Sequence, residues 1–462
     1  MSGGGDPALS ARLQQLLGAG QTAQALALLD GLPLMAQDAE IAYLYAMVAA
    51  RCGQRARADA ALAHCLAQWP GHPGALFLRA VHALDDGDPS NALEGFEATV
   101  RAAPGWAEAH YNLGVAQAAL GRSAEAEQSY RSSLRLNPTL VQAANNLANL
   151  LCERGALTDA VSLMRTAVSA APGFAIGWCT LGRSLFRLRQ LEPAVEALKR
   201  SLALDPTQAA AWENLGEALH LLEETSAAAD AFARALALDP ESPSLAFKLD
   251  TLRGAQPPRP PDDFVSRLFD AMAGDFDEWL VERLDYRLPQ QLSHYLPAGD
   301  GLDVLDLGCG TGLAGSALRP LARRLEGADL SPKMLEKAAA RGLYDALHET
   351  SLQTLLARET QSWDLLLATD VFIYVGALEE VFELAGSALR PGGWLLFSIE
   401  LLARDGTEGF RLQPSGRYAH AVGYLYGLAS KHGFEVELDE AIDLRRERAA
   451  MLTGRVLRLR RS

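Results

Sequence analysis

The sequence predicts an α-helical solenoid followed by a doubly wound, mostly parallel α/β domain. Two observations carry this. Proline recurs every 34 residues through the first half, at Pro70, Pro104, Pro138, Pro172, Pro206 and Pro240. In the second half an apolar run, Leu302 to Leu307, leads into three alternate glycines, Gly308, Gly310 and Gly312, and apolar residues resume at Leu313, Ala314, Ala317 and Leu318. A period of that length marks stacked helix pairs. Strand, glycine loop and helix in succession make the nucleotide-binding βα unit of an open parallel sheet.

Bulk properties exclude several function classes. A chain of 462 residues is long for one core, and 49% hydrophobic with 21% charged residues is ordinary for a globular protein. A net charge of −15 lacks the footprint of a nucleic-acid binder, so no nucleic acid partner is expected. No apolar run approaches the roughly 20 residues of a membrane span. The start, MSGGGDPALSARL, has neither the basic end nor the apolar stretch of a secretory signal. A cytoplasmic location without membrane contact is therefore expected. Cys52, Cys65, Cys152, Cys179 and Cys309 are odd in number and form no CxxC pair. That points to reduced thiols, with neither a disulfide framework nor a metal site.

Inside the 34-residue period a small residue recurs at Ala46, Ala80, Gly114, Ala148, Gly182 and Gly216, and another at Ala58, Ala92, Ala126, Ala160, Ala194 and Ala228. A large one follows four places on, at Leu62, Phe96, Tyr130, Met164, Leu198 and Phe232. Small residues let two antiparallel helices approach, the large one fills the gap to the next pair, and proline ends the second helix. Gly53, Gly87, Gly121 and Gly155 mark turns between helices. With phrases such as YNLG and WENLG, the period resembles the tetratricopeptide repeat. Residues 1–254 are read as the solenoid, with six full repeats over about 37–242. A divergent first repeat is expected over 7–33 and a capping helix over 243–254.

The concave face of such a solenoid is lined by the first helix of each pair. Asn112, Asn146 and Asn214 share one register there, with Thr180 between the last two. A side-chain amide both donates and accepts, so such a row can hold an extended peptide without reading its sequence. The row resembles the asparagine ladder of O-linked N-acetylglucosamine transferase. Asparagine also serves structural ends at that repeat position, and both readings stand. Arg183 and Arg187, one turn apart, can meet an acidic ligand or form a solvated face.

Residues 255–261, AQPPRPP, form a short, semi-rigid linker expected to restrict how the repeat groove is presented to the following domain. In the domain over 262–462, two helices broken near Gly274 and a third over Leu288 to Leu296 precede the first strand. Strands are expected over Leu302–Leu307, Arg324–Asp329, Asp345–Glu349, Leu365–Asp370 and Trp394–Glu400, with a closing, partly antiparallel pair over Phe434–Leu438 and Val456–Arg460.

The glycine spacing alone also satisfies a dinucleotide fingerprint, so a nicotinamide site stays open at this point. Asp306 and then Asp329, 23 residues on in GADLSPKMLEKA, sharpen the pattern together with LRPGGWLLFSIE. This set resembles class I S-adenosylmethionine-dependent methyltransferases, with a seven-stranded Rossmann-like sheet. The order of repeats and domain, with RGLYDAL, TDVFIYVG and GRYAHAVGYL, resembles a bacterial group of such methyltransferases fused to repeats.

The resemblance implies S-adenosylmethionine as donor and S-adenosylhomocysteine as product. Loop amides from Gly308 through Cys309 and Gly310 to Gly312 suit the donor carboxylate, and Asp306 influences its ammonium side. Asp329 suits the ribose, and Leu330 and Met334 flank the adenine. Ser351 takes the place of the usual acidic residue for the adenine amino group, with Glu349 as its substitute. Asp370 lies at the same crevice. The helices before the first strand, with Phe269-Asp270 and Phe276-Asp277, resemble a lid. Trp279, Tyr286 and Tyr374 would form acceptor walls. The segment GRYAHAVGY is read as the helix after the fifth strand, placing Tyr418 and His420 at the crevice mouth. His420 is the expected general base, with Tyr418, Asp370 and Glu400 beside it. Arg417 and Arg445 would hold a substrate carboxylate.

The reading is therefore methyl transfer to a peptide or protein acceptor docked on the repeats. A small metabolite acceptor is the alternative, with the repeats left for partner assembly. A non-catalytic repeat scaffold carrying a degenerate methyltransferase fold is the reading from a different class.

Overall fold

The computed structural model describes residues 7–30, 38–274, 276–278, 280–281, 284–402, 409–413, 415–447 and 450–462. The chain divides into two compact units, Met1–Ala231 and Phe232–Ser462.

The 34-residue period is a period of helix pairs. First helices cover Ala39–Arg51, Pro73–Asp85, Ala107–Ala119, Val141–Glu153, Ala175–Arg187 and Ala209–Leu221. Second helices cover Arg55–Gln68, Pro89–Ala102, Ser123–Leu136, Leu157–Ala170, Leu191–Leu204 and Thr225–Leu238. Each second helix ends two residues before the recurring proline. The small register is a true close approach: a Cβ added at Gly114 would stand 2.6 Å from the Tyr130 ring. Phe96, Tyr130, Met164 and Leu198 are buried as the repeat pattern requires. Helices over Pro7–Gly18 and Thr22–Asp30 form the earlier pair, and Pro33 lies outside the described residues. Pro243–Leu252 is the capping helix.

The turn between paired helices is left-handed in every full repeat. Gly53, Gly87, Gly121 and Gly155 have φ of 71–81°, and Arg189 and Glu223 hold the same place at 61° and 63°. The turn is set by the packing of the pair, and glycine only removes its cost.

Among the described residues of the second unit, nine strands form one sheet: β1 (Leu302–Leu307), β2 (Ala322–Asp329), β3 (Ala346–Glu349), β4 (Trp363–Ala368), β5 (Leu389–Leu401), β6 (Phe410–Leu412), β7 (Tyr418–His420), β8 (Phe434–Glu447) and β9 (Ala450–Arg461). β3, β2, β1, β4 and β5 run parallel in that order, and β9 then β8 continue antiparallel beyond β5. Those seven match the expected sheet, with longer outer strands. The additional β6–β7 hairpin pairs with the tip of β5. The helix expected over GRYAHAVGY is therefore a strand at Tyr418–His420, and the helix starts only at Val422. β4 and β5 are apolar on both faces because both are covered, by Phe372, Phe382 and Leu428 on one side and by Leu292, Leu318 and Tyr286 on the other.

The proline-rich segment packs against this unit. Pro258 O accepts from Gly376 N and Ala377 N, both at 2.9 Å. Pro257 O accepts from the Tyr418 hydroxyl at 2.8 Å, and the Gln256 side chain accepts from Leu412 N at 2.7 Å. Phe247 of the capping helix joins Phe264, Leu412 and Tyr418 in one apolar cluster, and Ser244 Oγ donates to Asp263 at 2.6 Å.

Arg189→Gly and Glu223→Gly should each stabilise the repeats by roughly 0.5–1 kcal/mol, since a β-carbon in the left-handed region is relieved. Equal or lower stability in denaturant titration of either variant would show that these side chains earn their place by contacts instead.

Candidate active site

Parallel strands deliver their carboxyl ends to one edge, and β1 and β4 are neighbours across which the strand order reverses. A cleft of about 1340 Å³, counting its open mouth, lies there. One half is built by the ends of β1 and β2, and the other by the segment after β4, by β8 and by the entry helices.

In the first half, Gly308 turns at φ 65°, and a Cβ there would meet Val371 at 2.6 Å. Gly310 at φ 54° donates its N–H to Asp329 Oδ2 at 2.9 Å, while Ser331 N donates to Oδ1 at 2.8 Å. Backbone donors thus orient Asp329 at the end of β2. Burial raises its pKa, against the pull of those amides. Asp306 is buried and accepts from the Tyr344 hydroxyl at 2.7 Å. With that neutral partner alone against desolvation, its pKa is raised from 3.8 to about 7. Gly308, Cys309, Gly310, Asp306, Asp329, Leu330 and Ser351 all line the cleft. Burial and the neighbouring aspartates push the Cys309 thiol upward, which leaves it protonated.

Three expectations on this side change. Met334 is wholly buried in the helix Pro332–Ala340 and lies outside the lining, because Ser331 caps that helix and turns Met334 into the core. Gly312 also lies outside it: its place is a close pass beside Ala338 and Tyr344. Ser351 lines the cleft but caps the helix Leu352–Leu356, accepting from Thr354 N, and Glu349 is exposed outside the lining.

A lid closes this half. Asp270, on the helix Asp262–Met272, accepts from Ser331 Oγ at 2.6 Å. Asp277 accepts from the Thr311 hydroxyl and from Arg341, and Lys337 Nζ donates to Gly274 O at 2.7 Å. Phe269 and Phe276 line the cleft, and Phe269 stands edge-on to Tyr374 at 5.1 Å. Trp279 lies outside the described residues.

The second half holds a chain of buried charges. Arg445, 3% exposed on β8, donates to Asp370 Oδ2 at 2.6 Å and to Glu400 Oε1. Arg417 Nε donates to the same Glu400 oxygen at 2.6 Å. Burial raises the pKa of both Asp370 and Glu400, and the two guanidiniums oppose that rise. Asp370 has left-handed φ of 58°, and its N–H donates to Ser398 Oγ at 2.9 Å. Asp370, Tyr286, Tyr374, Arg417 and Arg445 line the cleft, while Glu400 stands behind Arg445 and outside it. The arginines expected to hold a substrate carboxylate are thus engaged by protein carboxylates.

His420 and Tyr418 are corrected by the same geometry. As β7 residues both are fully buried and outside the lining. His420 Nε2 lies 3.0 Å from the carbonyls of Val375 and Gly376, which fixes its proton there. Its Nδ1 is buried without a partner, and burial lowers the pKa to about 4. Fully buried away from the cleft and with its basicity lowered, the ring cannot serve as base there. Tyr418 is a strut, bonded to Pro257.

In the repeats, Asn112 and Asn214 donate to Glu108 O and Ala210 O of their own helices, at 2.9 and 2.8 Å. Asn146 lies 3.5 Å from the Tyr130 hydroxyl. Thr180 donates to Asn145, and Arg183 to Asn149, across adjacent repeats. The register is half-buried and spends amide donors internally.

Sequence reasoning missed Tyr344, the partner of Asp306, as well as Thr311 and the linker residues Arg259 and Pro260, which line the cleft. Composition marked the linker as a spacer, and no local pattern marks a buried phenol partner. Among the described residues, no three His, Cys, Asp or Glu side chains gather to hold a metal, and no helix is long and apolar enough to cross a membrane.

This arrangement defines an α/β methyltransferase-like domain. Residues 280–438 match the family model described as a methyltransferase domain, and residues 77–141 and 179–243 match a tetratricopeptide repeat model. The chain joins tetratricopeptide repeats to a methyltransferase domain, and that domain implies S-adenosylmethionine as its donor. A ubiquinone biosynthesis O-methyltransferase of Paraburkholderia phymatum is 32% identical over 133 residues, 26% of this chain and 57% of its own. One of Albidiferax ferrireducens is 29% identical over 161 residues, 32% of this chain and 64% of its own. The chain thus spans little more than half the length of these curated relatives. The solved MamA 41-end of Desulfovibrio magneticus RS-1 is 24% identical, with TM-score 0.34, covering 37% of this chain and 96% of that one.

The Asp306 environment sets a pH dependence. Its folded pKa lies above the ordinary 3.8, so the unfolded chain ionises first and stability falls as pH rises from 3.8 to about 7. Asp306→Asn should flatten that fall, by about 4 kcal/mol at the upper limit. Parallel stability curves for the two proteins between those pH values in calorimetry would contradict it.

Proposed function

We propose that this chain transfers a methyl group from S-adenosylmethionine to a peptide or protein acceptor recruited by its repeats. The observation that carries the reading is the convergence, in one cleft, of the Gly308–Gly310 loop, the backbone-oriented Asp329 and the polar wall of Tyr286, Asp370 and Arg445. The residues present fit such a donor: loop amides for a carboxylate, Asp306 for an ammonium, Asp329 for ribose hydroxyls, and Leu330 with Ser351 beside the adenine. The donor supplies an activated methyl on a sulfonium sulfur. The chain's task is then to align the acceptor and keep water out, for which the lid formed by Asp270 and Asp277 is suited.

A solenoid joined to the catalytic unit gives a peptide acceptor a second attachment, which raises its effective concentration at the cleft. The printed names of the relatives, for ubiquinone biosynthesis, favour a second reading with a small acceptor and repeats that serve partner assembly. The glycine loop, intact with its Asp329 contact, speaks against a degenerate scaffold.

Calorimetric titration with S-adenosylmethionine should show binding below about 1 mM, and Gly310→Arg should abolish it. Absence of heat from the wild type in that range would sink the donor assignment and restore the scaffold reading. Replacing Asn112, Asn146 and Asn214 together by alanine should raise KM for a protein acceptor at least about threefold with donor affinity unchanged. Unaltered KM would favour the small-acceptor reading.

A further inference from the structure

One atom in the cleft lining is buried without a partner. Among the described residues that line it, Asp370 Oδ1 is the sole buried side-chain polar atom with no hydrogen bond. The rest of Asp370 is held firmly. Its N–H is on Ser398 Oγ, its Oδ2 is on Arg445, and its backbone is in the left-handed region that costs a non-glycine residue energy. An orphaned carboxylate oxygen forgoes solvation that nothing in the protein returns. Such an oxygen, on a residue that is fixed from three sides and lines the cleft, is arranged for a ligand hydrogen.

Resting on the methyl-transfer reading, we propose that the acceptor is a hydroxyl, and that Asp370 Oδ1 binds its hydrogen and takes its proton at transfer. The surrounding charges select among nucleophiles. A carboxylate acceptor would set its lone pairs against an oxygen that has no hydrogen to give. An ammonium can hydrogen-bond to the same oxygen, but it has no lone pair for the methyl carbon until it has lost a proton. A neutral hydroxyl meets neither penalty. It gives its single hydrogen to Oδ1 and keeps a lone pair for the methyl carbon. Arg445 favours the ionised carboxylate that this requires, against the desolvation that opposes it.

The hydroxyl oxygen's lone pair forms the O–C bond, the C–S bond breaks with its electrons left on sulfur, and the hydroxyl proton passes to Asp370. A neutral alcohol and a sulfonium become a methyl ether, a thioether and one proton. Asp370 is the catalytic residue here. Ser398 is a positioning residue that acts through the Asp370 backbone.

The test uses the full chain with two donor-site probes, S-adenosylhomocysteine and sinefungin, in which an amine-bearing carbon replaces the sulfonium and its methyl. With Asp370 facing the transfer position, the wild type binds sinefungin more tightly. Asp370→Asn should then reduce that preference about tenfold, one charge-assisted hydrogen bond, with S-adenosylhomocysteine affinity within about threefold. Asparagine tolerates the left-handed backbone, so the variant keeps the loop. Should it fail to fold, Ser398→Ala should lower the preference by about threefold. An unchanged preference in the folded variant, or in Ser398→Ala if that one must decide, overturns the assignment of Asp370. Failure of the wild type to bind S-adenosylhomocysteine overturns the methyl-transfer reading itself. Methyl-labelled product formed by the full chain in cell extract should be stable to mild alkali and recovered as an ether. Label released as methanol, or recovered on nitrogen, overturns the hydroxyl class.

Discussion

Carboxylates buried or half-buried at the mouths of four neighbouring parallel strands are the constraint on which the catalytic unit depends. Asp306 and Asp329 stand at the ends of β1 and β2, Asp370 just beyond β4, and Glu400 near the end of β5. Burial raises the pKa of all four, and each is answered in its own way. Asp306 has a neutral phenol, Asp329 has backbone amides, and Asp370 and Glu400 share a guanidinium. The cleft is thereby divided into a half where a ligand cation is welcome and a half where charge is already balanced. A guanidinium buried that deeply must come from a rigid element. β8 supplies it, and the irregular register between Asp443 and Arg445 occurs just where Arg445 turns toward the site. The closing antiparallel strands are in this sense part of the site's electrostatics as much as of the sheet.

Features with a local physical cause were legible in the sequence. The repeat period is legible because proline, small and large residues each answer a steric demand that recurs in every helix pair. The glycine loop is legible because Gly308 must pass Val371 and Gly310 must turn its N–H to Asp329. Features created by tertiary pairing were not. Three residues, Tyr418 to His420, form a strand only because β5 and β6 flank them, and the apolar text around them reads equally well as helix. That one error of element type moved His420 from the core to the cleft mouth. Arg189 and Glu223 show the opposite case, a turn that keeps its shape after its signature residue is gone. In the asparagine register the row itself was visible, but not that Asn112 and Asn214 spend their donors on their own helices.

The proline-rich segment makes the same point about domain limits. Proline has no N–H but keeps its carbonyl. The four prolines between Gln256 and Pro261 can therefore offer the backbone only as an acceptor, and they need a surface rich in unspent donors. The segment after β4 and the β6–β7 hairpin offer such a surface: Gly376 N, Ala377 N, Leu412 N and the Tyr418 hydroxyl. Those donors would otherwise depend on water next to the cleft. A composition that reads as a free spacer thus becomes a fitted edge of the catalytic unit, carrying Arg259 and Pro260 to the lining. The catalytic unit, in the sense of shared core and satisfied hydrogen bonds, takes in the capping helix as well, whose Phe247 packs with Phe264 and Tyr418. A boundary drawn where composition changes, at Asp262, would cut through that packing and strip acceptors from four donors at the edge of the site.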